Sequence, residues 1–362
     1  MNQKGMMMLQ LFAVLHPLLK EFSRKKVLAY ARAIPEEGHV GPTLFPVLPV
    51  NELTFEYWKD LNLLPVMASL QAYGAEAQIA SREGAEKISG EIPPIKRKIY
   101  LAERAMLALK REGAGDADMV RSTIYNDIDN MVASVYARIE KMRMDVVAYG
   151  EMTLNENGVI LSVNYGVPAE HKVVCDGGGN RPAPWSDAQN RDIIGNIQAW
   201  TEKIEADTGI RPTRALTSDT VVAHMLKDET IRQMIHGDLG SSRPISVQQV
   251  NQLLAGLDLP RIATYNRQVR AQAEDGTYVT MRYFPKHKFV LLPAQKLGDT
   301  LMGPTAEALL DEEVEAKDIA GIYACVTHEN EPPMIWTKAA ATSIPTFPMA
   351  DAVFQADVIA AD

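Results

Sequence analysis

Seven histidines are the first residues to test for chemistry: His16, His39, His171, His224, His236, His287 and His328. No two stand four apart, the spacing that sets paired ligands on one face of a zinc-binding helix. Cys325 and His328 are three apart on an expected strand, so their side chains leave opposite faces and make no nucleophile–base pair. The remaining cysteine, Cys175, is far away in sequence. Two cysteines make neither a zinc site nor a disulfide framework, and both are expected reduced and buried in a chain made in the cytosol. Gly177 to Gly179 lack the Lys-Ser/Thr of a phosphate loop and open no dinucleotide-binding helix, so they read as a turn. Asp311, Glu312, Glu313 and Glu315 read as a solvated acidic helix end without convergent ligands. No carboxylate pair stands out as an acid–base couple. The inventory names no catalytic, cofactor-binding or metal-ligating residue, no cofactor, and no enzyme.

The chain has 362 residues, 46% hydrophobic and 23% charged, enough for two cores. Its formal net charge of -9 argues against general nucleic-acid binding. Met6 to Leu15 is an apolar run with the look of a signal-peptide core, but it is too short to span a bilayer. Leu11, Phe12, Leu15, Leu18, Leu19 and Phe22 make a helical stripe there, which favours a docking helix.

The element around which the others must be arranged is 118–149, which contains neither Pro nor Gly. Ile124, Ile128, Met131, Val135, Ile139, Met142 and Val146 recur at steps of three and four and share one helical stripe. Such a helix is roughly 45–50 Å long. It fits either a core helix of an ordinary enzyme or a girder in a flat subunit built to tile.

Ahead of it, 35–50 holds four prolines and two glycines and reads as an extended arm. Residues 53–60 read as a strand. Residues 66–100 read as a long two-stranded hairpin, with Val66, Ala68, Leu70 and Ala72 alternating and the charged run 81–87 at its tip. Pro93 and Pro94 make the return run an edge strand. The hairpin has too few large apolar residues for a core of its own and needs a partner surface, on another chain; a surface flap is the alternative. Arg82, Glu83, Gly84, Glu86 and Lys87 are therefore the candidate intersubunit assembly residues.

Residues 101–112 read as a short helix. The run 176–184 is the strongest internal boundary. Beyond it lies a compact α/β unit, 186–303, with helices started by Ser186, Asp219 and Ser246 and strands over 261–269, 277–283 and 287–293. Strands return over 319–329, 334–344 and 352–360.

This order resembles the major capsid proteins of tailed bacteriophages with the Hong Kong 97 capsid fold, and most closely the lambda-like major capsid protein E family. The resemblance rests on the hairpin stretch 64–99, which is similar to the family's E-loop, and on the helix 118–149, similar to its spine helix. It rests also on 209–228, similar to the start of the axial domain's sheet, and on 334–359, similar to the closing strands. It implies an α+β fold: N-terminal arm (1–52), extended β-hairpin or E-loop (53–100), peripheral domain with the spine helix (101–185), inserted α/β axial domain (186–303) and peripheral closing strands (304–362). It further implies a virion protein, assembled in the host bacterial cytoplasm. Hexamers and pentamers of it form an icosahedral shell enclosing double-stranded DNA without sequence-specific binding. The implied partners are further copies of itself, a scaffolding protein, a portal and, in some relatives, a decoration protein; no membrane is implied. An encapsulin-like nanocompartment shell shares the fold, and an unrelated cytosolic α/β enzyme is the remaining alternative.

Overall fold

The computed structural model describes residues 22–60, 85–110, 116–156, 159–237, 242–273, 275–314 and 319–360. The elements follow in chain order. Helices α1 (Arg24–Ala33) and α2 (Gly41–Leu44) and strand β1 (Val47–Pro49) form the leading segment. Then come β2 (Thr54–Asp60), β3 (Ala85–Glu91), β4 (Pro94–Ala102), α3 (Glu103–Lys110) and α4 (Asp116–Tyr149). Strands β5 (Glu151–Glu156), β6 (Val159–Asn164) and β7 (Lys172–Val174) lead to α5 (Ile193–Thr208) and β8 (Arg214–Thr217). Helices α6 (Asp219–Leu226), α7 (Glu229–His236) and α8 (Val247–Gly256) precede β9 (Arg261–Thr264), β10 (Gln268–Gln272), β11 (Tyr278–Arg282), β12 (Lys288–Leu292) and β13 (Thr300–Gly303). The short α9 (Ala306–Leu309), then β14 (Tyr323–Asn330), β15 (Pro333–Pro345) and β16 (Phe354–Asp357) complete the chain.

The long helix forms as its stripe predicts, and all seven stripe residues are buried. At 34 residues it runs about 51 Å. Beyond Val132 it is enclosed on more than the stripe: Glu140, Arg143, Met144, Val147 and Ala148 are also buried. Gly150 ends it at φ +69°, where the amide donates to the carbonyl of Val146. A Cβ there would stand 2.4 Å from Val167, so the stop is both conformational and steric.

Helix α4 packs on the first sheet, ordered β1-β13-β15-β14, with β4 on the remaining edge of β15. Strand β15 is the spine of that sheet. Its last residues pair with β13, and the rest lies between β14 and β4. The edge position of β4 is the one that Pro93 and Pro94 impose.

The second sheet is β7-β16-β12-β8-β9, covered by α5 to α8. Its core centres on Trp185, Trp200, Phe289 and Phe354, with ring centroids 5.0–6.3 Å apart. Strand placement crosses the expected boundaries. β7 and β16 come from outside 186–303 and complete this sheet, while β13, inside that range, belongs to the first. Phe354, Ala356 and Val358 account for β16, since all bury against the second core.

Several local expectations change. Ser186 does not start α5; Asp192 does, accepting from the amide of Gly195. Trp185 is buried just before, and Arg191 holds the intervening turn by donating to its carbonyl. The helix expected from Asp219 to Ile235 is two helices, capped by Ser218 and Asp228. Asp228 also pairs with Arg191 at 2.7 Å, which pulls the chain out of helix there. The 261–269 strand divides into β9 and β10, with Tyr265 buried at the break.

The hairpin differs most. β3 pairs with β2, Asp60 opposite Ala85, and β4 joins the first sheet. The strand expected at 66–72 lies outside the described residues. The stretch 85–90 is hairpin root rather than tip: Ile88 and Phe55 are buried in the main core.

Candidate assembly surfaces

The hairpin root is held by the core on three counts. Lys59 is buried with its ammonium 2.6 Å from the Asp351 carboxylate, and it donates to the carbonyl of Gly166. The Tyr57 hydroxyl accepts from the amide of Phe347 at 3.2 Å. Phe55 and Ile88 supply the apolar contact. Of the five candidate assembly residues, Arg82, Glu83 and Gly84 lie outside the described residues. Glu86 stands in β3 opposite Lys59 in register. Lys87 is exposed and pairs with Glu56 at 2.8 Å. Of the five, Lys87 has the described side chain, and its contact lies within the hairpin.

A second device clasps the arm to the spine helix, and the sequence reading missed it. Glu140 accepts from the amides of Val40 and Gly41, each at 3.1 Å. Arg143, one turn on, reaches Glu36 at 2.6 Å and donates to the Thr300 hydroxyl at 2.8 Å. That hydroxyl donates in turn to the carbonyl of Phe45. Gly41 is required because a Cβ would stand 2.0 Å from the Glu140 carboxylate. The signal was present: Glu140 and Arg143 are charges i, i+3 apart in the most apolar half of the helix. Burial beside Glu140 holds the Tyr265 phenol above its usual range.

Glu36, His39 and Glu140 bring potential metal-ligand atoms within 4.8 Å of one another. The Arg143 guanidinium already lies 2.6 Å from one carboxylate and 3.6 Å from the other, so the cluster carries its own cation. Its part is to fasten the arm. Glu140→Ala should leave Arg143 buried beside unsatisfied amides and cost ~3–5 kcal/mol. A urea titration should show that drop in the midpoint; an unchanged midpoint would mean the clasp contributes nothing.

A third cluster ties β4 to β15. Lys96 and Lys338 reach Glu307 at 2.8 and 2.6 Å. Burial raises the carboxyl pKa, but the hydrogen bonds from Lys338 and Lys96 outweigh it and hold the group at about 2, against an ordinary 4.5. A depressed carboxyl stabilises the fold above its unfolded value and loses that contribution as pH falls from about 4.5 toward 2. Glu307→Gln should be less stable than the parent at pH 7, and the gap should narrow below pH 4.5. Thermal melts of both chains across that range check it.

The outer surface carries apolar side chains that the subunit alone leaves wet. Leu310 and Ile160 are 84% and 81% exposed, and Tyr278 and Val279 on the β10–β11 hairpin exceed half. Cys175 and Cys325 are both free and buried, and burial pushes the Cys175 thiol up to about 12.

The fold has close counterparts in overall course. The putative capsid protein of a prophage of E. coli CFT073 matches at a TM-score of 0.59 and 15% identity, covering 93% of this chain and 99% of that one. A phage-related protein from Bordetella bronchiseptica RB50 matches at 0.54 and 12%, covering 92% and 96%. No curated protein matches the sequence. The girder helix, the two sheets and this likeness define the fold as a phage capsid fold of the Hong Kong 97 type. The chain belongs to the phage major capsid protein E family, whose profile matches residues 49–358.

Proposed function

We propose that this chain is the major head protein of a tailed phage, forming hexamers and pentamers that close into an icosahedral shell around double-stranded DNA. The family match over 49–358 carries the reading. The physical features support it. The hairpin is rooted in the core at Phe55, Lys59 and Ile88, and residues 61–84 connect its two strands. A strap so rooted can transmit load from a neighbour into the first sheet. In this reading the strap belongs to 53–100 and the unit 186–303 surrounds the capsomer axes. Arg82, Glu83, Gly84, Glu86 and Lys87 serve contacts between subunits. The net charge of -9 suits a container that does not adsorb its genome. The partners are further copies of the chain, a scaffolding protein, a portal and, where the phage has one, a decoration protein. Assembly takes place in the host cytoplasm, and the product is not an enzyme. Among the described residues no helix is long and apolar enough to cross a membrane.

Electron microscopy of the chain, expressed alone and with the neighbouring phage genes, tests the reading. Closed shells holding DNA are expected. Shells holding a cargo enzyme instead of DNA would make it a nanocompartment subunit, and a small soluble oligomer would overturn the shell reading.

A further inference from the structure

A groove of about 650 Å³ lies where the arm, the spine helix, β4 and the β10–β11 hairpin meet. Three of its lining residues are exposed arginines: Arg97 on β4, Arg267 at the foot of the hairpin and Arg270 on it. Arg267 donates to the carbonyl of Glu37 at 2.7 Å, and Arg270 lies over the Tyr278 ring, 5.4 Å from its centroid. Among the described residues no carboxylate pairs with any of the three. The helix contributes Asn130, Met131, Ala133, Ser134, Tyr136 and Ala137, and Ala133, Ser134 and Ala137 are small enough to let another backbone come close between the larger side chains. Ile99 and Tyr278 flank the groove, 38% and 56% exposed. Arginine and tyrosine beside apolar and small side chains is the composition of a protein-binding surface.

The alternative occupant of a basic groove is nucleic acid. Glu37 lines the same groove, its neighbour Glu36 being paired with Arg143, and a continuous phosphate backbone would be repelled by that carboxylate. A protein segment bearing spaced carboxylates meets no such conflict. The chain itself has that chemistry in excess, with 46 acidic against 37 basic residues. We infer that this groove is an intersubunit receptor, and that its occupant is a carboxylate-bearing segment of a second copy of this chain. The inference rests on the shell reading and adds a receiving surface to it. The contact is heterologous, groove to segment, the kind that generates rings when the rotation closes.

The test uses the full chain, expressed with its neighbouring phage genes, as parent and as Arg97→Glu/Arg270→Glu. Both side chains are exposed, so the variant should melt like the parent by circular dichroism, yet sediment without closed shells. A second variant, Arg270→Lys, keeps the charge and should assemble. Carbodiimide treatment of its shells, made from mixed light and heavy isotope subunits, should join the new amine to a carboxylate of a differently labelled chain, a cross-link absent from Arg270→Ala. Normal shells from the charge-reversed chain would overturn the inference, as would cross-links found only within single chains. Normal shells that fail to retain DNA would overturn it in favour of a nucleic-acid surface. If the parent itself forms no shells, the shell reading fails and the groove inference goes with it; if the parent forms them, only the groove is in question.

Discussion

Ile128→Asp should yield insoluble chain. Ile128 is fully buried at the middle of the α4 stripe, inside the larger of the two main cores. A carboxylate there would lose its water among the apolar side chains of that core. The cost is several kcal/mol even if the group protonates, against a total stability of about 5–15 kcal/mol for a typical domain. The helix also touches β15, β4, β5, β12 and β16, so local failure would spread to both sheets. Fractionation of the expressed chain, with Ile128→Val as the comparison, checks it. Soluble Ile128→Asp that still assembles would mean that the buried face of the helix is assigned wrongly.

The second large effect should come from shortening the strap. Replacing 81–90 with a turn would delete Ile88 and part of β3 and so injure the core. The register offers a cleaner cut. Asp60 and Ala85 face each other across the ladder, so a two-residue Asn-Gly turn can join them in place of 61–84. Loop-closure entropy changes by roughly 2 kcal/mol at most, in the stabilising direction. The root contacts at Phe55, Lys59 and Ile88 stay. The shortened subunit should therefore melt near the parent's temperature and form no closed shells, even with scaffolding protein supplied. Circular dichroism and sedimentation of one sample read both properties. Shells of normal size and stability would refute the strap; a collapsed monomer would mean that 61–84 contributes to the core.

The groove and the strap are separable. A chain that loses assembly on strap removal but keeps it after reversal of Arg97 and Arg270 uses some other surface to receive its neighbour. A chain sensitive to both has two distinct contacts or the two halves of one, and the isotope-mixed cross-link identifies which carboxylates face position 270.

What the sequence determined by itself was the set of elements whose cause is local. The seven-residue stripe specified α4, because helix periodicity and burial are one geometric fact there. Ser246 specified the start of α8 through a capping box with Gln249. Pro93 and Pro94 specified the edge strand, because proline has no ladder hydrogen to give. Together with the texture of the hairpin and closing strands, these carried the family resemblance and the capsid fold. Only the tertiary structure decided which strand meets which, because pairing between distant segments depends on the surface each must bury. β3 pairs with β2 because Phe55 and Ile88 fill the same core, and β16 joins the second sheet because Phe354 stacks on Trp200 at 5.3 Å. Glu140 and Arg143 look in the sequence like ordinary charges on a helix. Only folding brings Glu36, Gly41 and Thr300 to them from 107, 99 and 157 residues away, and a buried charge can be read as structural only once its partners are in place.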